Sequence, residues 1–205
     1  MTAFVSISRV RRRSAGFSLI EAMIALVLLG VVVTKLTIVI GEARNTQSRE
    51  SSHLILEDRA RQVLDRISYA IMGSDAQSLI PDTEFPAHHS ELRYRVSMGV
   101  EDGAVVWSDP EIIGLSPLDP NQIYWGTNVG EANERIIVWC NVVSDLLEDE
   151  FANGMDDNAN GLADEDGLTF VLDRSSVTIR ITLRGEDDSG NEIRHTVQTM
   201  VTCRN

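Results

Sequence analysis

Carboxylates crowd one stretch of this chain. Glu148, Asp149, Glu150, Asp156, Asp157, Asp164, Glu165 and Asp166 fall within nineteen residues, and like charges so close repel unless a cation lies among them. Inside the run, Asp156-Asp157-Asn158-Ala159-Asn160-Gly161 reads D-x-N-x-N-G. Oxygen-bearing side chains at alternate positions can converge there, while Gly161 permits the turn that brings the chain back. Calcium takes six to eight oxygens. Asp156, Asn158 and Asn160 would supply three, the Leu162 carbonyl a fourth, and Asp164, directly or through water, a fifth; Glu165 or Asp166 would complete the set. The ion's role would be structural, ordering a long loop between two strands, with the weak affinity of extracellular modules, about 10⁻⁴ to 10⁻³ M.

The spacing is close to the opening of an EF-hand-type loop, with one departure. Gly167 stands at the twelfth position in place of the bidentate glutamate, and no helix pair flanks the loop. The alternative is a solvated acidic loop that holds no metal. No organic cofactor is indicated.

A second set of charges sits where charge is costly. From Ala22 to Gly41 the only charged residue is Lys35, and Glu21 immediately precedes the stretch. Twenty helical residues reach about 30 Å, the thickness of the bilayer hydrocarbon. Ahead of them come Arg9, Arg11, Arg12 and Arg13 with no acid, which holds the amino end in the cytoplasm and sends everything after Gly41 outward. Three readings fit. The stretch could be an uncleaved anchor. It could be a secretory signal cut after Ala43, where Gly41-Glu42-Ala43 is small-x-small, releasing a secreted calcium-stabilised binding module. The third gives Glu21 a partner, because an acid at bilayer depth costs a few kcal/mol alone. A cut after Gly16 would leave the Phe17 amine one helical turn before Glu21, whose carboxylate offsets an ammonium that the helix dipole disfavours. The acid could equally reach the amine of a neighbouring subunit. Lys35 would lie roughly 27 Å from Phe17, near the opposite boundary, where it can snorkel.

Gly16-Phe17-Ser18-Leu19-Ile20-Glu21, followed by an apolar helix, resembles the amino-terminal methylation motif of type IV pilins and type II secretion pseudopilins. The resemblance implies cleavage between Gly16 and Phe17 by a prepilin peptidase, N-methylation of Phe17, and a docking role for Glu21. It further implies partners: other pilin or pseudopilin subunits, the inner-membrane assembly machinery and membrane lipid. The protein would cross the bacterial inner membrane once, with its carboxyl-terminal head in the periplasm, and then enter a pilus or pseudopilus. Ile38 stands where major pilins often carry a proline, a difference that a minor subunit or pseudopilin tolerates. The ending Arg204-Asn205 after a hairpin resembles J-type minor pseudopilins and W-type minor pilins.

These groups must be positioned by the elements around them. No proline interrupts Phe17 to Met72, and Gly73 is a stop signal, so a continuous helix of roughly 84 Å is expected. Ala60, Val63, Leu64, Ile67, Ala70 and Ile71 recur every three or four residues and mark one apolar face. Strands are expected at Leu92–Met98, Val105–Trp107, Arg135–Val143, Thr169–Leu172, Val177–Arg184 and Glu192–Thr202. Odd-numbered residues of Val177–Leu183 should face a core, and the last two strands should form a hairpin. The fold class is α+β, a long helix laid on an antiparallel sheet. It divides into a leader (1–16), a membrane or filament-core helix (17–41), an amphipathic continuation (42–73) and a β-rich head (74–205) holding the acidic loop (148–167). Exported together, Cys140 and Cys203 could bridge the carboxyl terminus to the sheet, with two buried free thiols as the alternative. The resemblance favours a bridge, since many pilins have one in this region.

The net charge of −13 repels phosphate backbones, so no nucleic-acid partner is expected. No nucleophile elbow, zinc-binding H-E-x-x-H or phosphate loop is present, so an enzyme is not expected. His88-His89 has no ligand spacing, and Trp107, Trp125 and Trp139 fit core or interface anchors.

Overall fold

The computed structural model describes residues 18–187 and 190–203. The expected cleavage site at Gly16 and Phe17, the four leading arginines and the terminal Arg204-Asn205 lie outside these residues. The chain divides into two compact units, with the boundary between Asn45 and Thr46.

Helix α1 (Leu19–Met72) begins in the first unit and ends in the second. In the first unit every described residue is exposed, and the helix is long and apolar enough to cross a membrane. Valine and isoleucine are indifferent helix formers in water. In hydrocarbon the internal pairing of every backbone group outweighs that preference. The Thr34 and Thr37 hydroxyls donate to the Gly30 and Val33 carbonyls at 2.8 and 2.9 Å, so they too find partners inside the helix.

In the second unit α1 becomes amphipathic. Leu56, Ala60, Val63, Leu64, Ile67 and Ile71 are buried, while Arg59, Arg61 and Asp65 face solvent. Of the expected face, Ala70 alone is partly exposed. The helix stops at Met72: the Gly73 amide returns to the Tyr69 carbonyl and the Ser74 hydroxyl to that of Ile71.

Nine strands among the described residues follow, all paired antiparallel. β1 (Glu91–Tyr94), β4 (Glu111–Leu115), β5 (Ile123–Thr127) and β6 (Arg135–Cys140) form a four-stranded sheet in that order. β2 (Ser97–Glu101) and β3 (Ala104–Trp107) form a separate hairpin. β7 (Leu168–Asp173), β8 (Ser176–Glu186) and β9 (Glu192–Thr202) form a three-stranded meander. Val177, Ile179, Ile181 and Leu183 are all fully buried, the face expected from their alternation. β8 and β9 pair from Ser176–Thr202 to Glu186–Glu192, which is the expected carboxyl-terminal hairpin. The buried side of α1 and the inner faces of both larger sheets share one core around Ile67, Ile71, Tyr94 and Phe170. The architecture is α+β, as expected.

Two strand expectations are corrected, and two further strands are added. Leu92–Met98 is not one strand: it breaks after Tyr94 and its halves join different sheets. The strand at Arg135 ends at Cys140, because Val142 and Val143 turn away to bond with Arg184 and Asn121. β4 and β5 were not anticipated, since each carries a glycine that lowers its strand signal. Their packing explains those glycines: a Cβ at Gly114 would lie 3.1 Å from the Glu91 Cα, and one at Gly126 would lie 2.8 Å from Val129 Cγ2.

Candidate functional site

The acidic residues lie on the long connection between β6 and β7. Its turns are closed by side-chain oxygens that accept main-chain amides. Asp156 accepts from Asn160 and Gly161 at 3.1 and 2.7 Å, Asn158 from Asn160 at 3.1 Å, and Asn160 from Leu162 at 2.9 Å. Gly161 has φ +91, the left-handed turn expected of it. Leu162 is buried, which anchors the loop to the molecule below.

Two carboxylates turn inward. Glu165 is fully buried, its Oε1 2.5 Å from Arg180 Nη1 on β8, and its Oε2 accepts from the side-chain amides of Asn158 and Asn160. Glu150 is 3% exposed and accepts from the amides of Asn158 and Asp164. The structure therefore gathers Asp156, Asn158, Asn160 and Glu165 around one turn and adds Glu150. Sequence reasoning left Glu150 out of the ligand set because it precedes the D-x-N-x-N-G spacing, and only its burial marks it. Asp164 turns to the amides of Asn153 and Gly154 instead, and Asp166 lies beside His88 and His89. Among the described residues, no three His, Cys, Asp or Glu side chains are grouped to hold a metal by themselves. A cation here would need amide and main-chain oxygens as well.

Gly167 has a structural explanation. A Cβ there would stand 1.9 Å from the Ser144 carbonyl oxygen. The twelfth position of the loop cannot carry a glutamate, because the chain closes against Ser144 at this point.

The expected disulfide is not formed. Cys140 and Cys203 are both free and buried. Cys140 lines a recess with Arg59, Val63 and Arg66 of α1, whereas the Cys203 sulfur lies 3.5 Å from the Ser74 hydroxyl, past the end of that helix. The rise from Arg66 to Ser74 is on the order of 10 Å. A disulfide brings its Cβ atoms to about 4 Å. Burial pushes the Cys140 thiol pKa up, which keeps it protonated and unreactive.

A polar network stiffens the four-stranded sheet. Tyr94 and Trp125 both donate to Glu111 Oε2 at 2.9 Å, and Trp125 stacks on Trp139 with ring centroids 6.4 Å apart. Two of the three tryptophans thus act as core anchors.

In the first unit, Glu21 and Lys35 are the only charged side chains from Ser18 to Gly41, and both are exposed on α1. Glu21 lies in the first turn, where the helix dipole favours an acid. No curated protein and no solved structure matches the chain. Residues 11–34 match the family model for the prokaryotic N-terminal methylation motif. That segment runs from the arginines through Glu21 into the apolar helix, so the chain carries a prepilin-type amino-terminal methylation motif at the head of a helix apolar enough to cross a membrane.

Proposed function

We propose that this chain is a minor subunit of a type II secretion pseudopilus or type IV pilus, cut by a prepilin peptidase between Gly16 and Phe17 and N-methylated at Phe17. One observation carries the reading: a lone carboxylate, Glu21, opens an exposed apolar helix inside the segment that matches the methylation motif. A carboxylate in hydrocarbon is costly without a cationic mate, and the amine released by cleavage supplies one. Before assembly the protein crosses the inner membrane once, the residues beyond the helix standing in the periplasm, as the leading arginines favour. Its work is then assembly rather than catalysis, with prepilin subunits and the inner-membrane machinery as partners.

The acidic loop of this subunit holds a structural calcium ion. Support comes from the convergence of Asp156, Asn158, Asn160, Glu150 and Glu165 on one turn, and from the unfavourable crowding of their neighbours without a cation.

A Glu21→Ala substitution tests the assembly role. We expect incorporation into filaments to fall about tenfold or more, the equivalent of losing a charge pair in an apolar setting. Normal incorporation of the variant would overturn the reading.

A further inference from the structure

Among the described residues the two larger sheets have four edges, and three of them are protected. Beside β1 the chain returns at Ile80, whose amide donates to the Arg93 carbonyl at 3.0 Å and whose carbonyl accepts from the Arg93 amide at 2.7 Å. Beside β7 the Phe85 and His89 amides donate to the Leu172 and Phe170 carbonyls, each at 3.0 Å. β9 carries Glu192, Arg194, His195 and Gln198, polar side chains of the kind that discourage a further strand. Apart from Arg135 at its start, β6 has no such protection. Among the described residues, the main-chain groups of 135–139 have no partner other than β5, so alternate amides and carbonyls face away from the sheet.

The side chains of β6 are apolar on both faces. Ile136, Ile137 and Val138 are 52%, 46% and 50% exposed. Ile136 and Val138 line a recess of about 510 Å³ with Leu118 and Tyr124, while Ile137 lies opposite Trp125 on the other face. Two carboxylates stand at the ends of the recess. Glu134 precedes β6, and Asp119 lies in the β4–β5 turn, near the end of β6 where Ile123 pairs with Cys140. Their donors are neutral: Asn121 and Gln122 for Asp119, and the Gly130 amide for Glu134. Among the described residues, no lysine or arginine lines the recess.

We propose that β6 accepts an extended strand from a different protein, added to the sheet edge, and that this strand is apolar at its centre with a lysine or arginine at each end. The inference goes beyond the filament-subunit reading and does not rest on it. Main-chain hydrogen bonds to the open edge supply affinity, and side chains beside Ile136, Ile137 and Val138 cover both faces at once. A small apolar molecule or a helix laid in the recess would cover Ile136 and Val138 but leave Ile137 and the open main chain in water. The carboxylates at the two ends select the basic residues. A second copy fits badly. β6 paired antiparallel with itself brings Glu134 of one copy to the Asp119 end of the other, between two chains of net charge −13.

The test uses the full chain in detergent and a capped, fluorescently labelled peptide of sequence lysine-threonine-valine-isoleucine-valine-threonine-lysine. On binding, hydrogen exchange at alternate amides of 135–139 should slow about tenfold or more, with no comparable change in β9. Replacing both lysines by glutamates should weaken binding about tenfold or more, and Glu134→Lys should do the same to the lysine peptide. Ile137→Lys separates the two modes: it should weaken strand addition about tenfold, and unchanged binding would mean a ligand confined to the recess and overturn the proposal. Glu134 and Ile137 are exposed, so both variants should melt as the wild type does. The proposal is equally overturned by no binding at about 1 mM peptide, by protection elsewhere than β6, or by protection of 135–139 through self-association without peptide.

Discussion

Replacing Gly167 by alanine should be among the most damaging single-methyl changes in the second unit. The added Cβ would sit 1.9 Å from the Ser144 carbonyl oxygen, 2.8 Å from its carbon and 3.1 Å from Val143 Cγ1. An ordinary contact needs well over 3 Å, so backbone must move by more than an ångström. That backbone is tied down on both sides. The Ser144 amide donates to the Thr182 carbonyl at 2.9 Å, the Thr182 amide to the Gly167 carbonyl at 2.8 Å, and the Gly167 amide to the Asp145 carbonyl. Overpacking a filled interior costs about 1–3 kcal/mol, and straining these hydrogen bonds places this case at about 3 kcal/mol or above. Urea unfolding of the full chain in detergent, followed by tryptophan fluorescence, measures it directly. For a chain of this size the melting temperature should fall by roughly 6–12 °C. Gly154→Ala is the control. Its φ is +74, but a Cβ there meets nothing within 4 Å, so its cost should be only about 1 kcal/mol. If Gly167→Ala costs no more than Gly154→Ala, the steric reasoning is wrong.

With calcium removed by a chelator, Arg180→Ala should destabilise by about 3 kcal/mol, because it strands Glu165, fully buried, without its cation; urea unfolding checks this, and an effect under about 1 kcal/mol contradicts it. Removing calcium with a chelator should lower the melting temperature by a few degrees relative to 5 mM calcium, as expected of a millimolar or tighter site, and Asp156→Ala should abolish the difference; equal melting in both conditions argues for a metal-free loop. Stability should fall as pH rises from about 10 towards 12. Burial, then the charge of Glu91, pushes Tyr124 from 10.0 up to about 12, and burial beside Glu111 pushes Tyr94 further. The unfolded chain loses these protons first, so stability is flat below the unfolded value and declines above it. A flat profile over that window in urea titrations would count against the Glu111 and Glu91 networks.

What the sequence disclosed followed the strength of its periodic signals. Val177–Leu183 alternates without interruption, and its odd-numbered residues are all buried. The helix face at Ala60–Ile71 was equally legible, since no glycine or proline interrupts it. Where tertiary packing overrode local preference the reading failed. Gly114 and Gly126 weakened β4 and β5 as strands, yet each is small because a neighbour approaches closely. The bend after Tyr94 has no local marker, and Leu92–Met98 read as one strand for that reason. In the acidic loop, spacing identified Asp156, Asn158 and Asn160, whereas Glu150 enters through burial that only the folded chain reveals. Two cysteines near strand ends suggested a bridge, but sequence cannot register them along α1, and they meet it at different places.

The mature amino terminus tests the central claim most directly. Mass spectrometry of protein recovered from membranes or filaments should find N-methylated Phe17 as the first residue, with Glu21 four positions on. A chain beginning at Arg44, or one that retains the arginine-rich leader, would contradict the account.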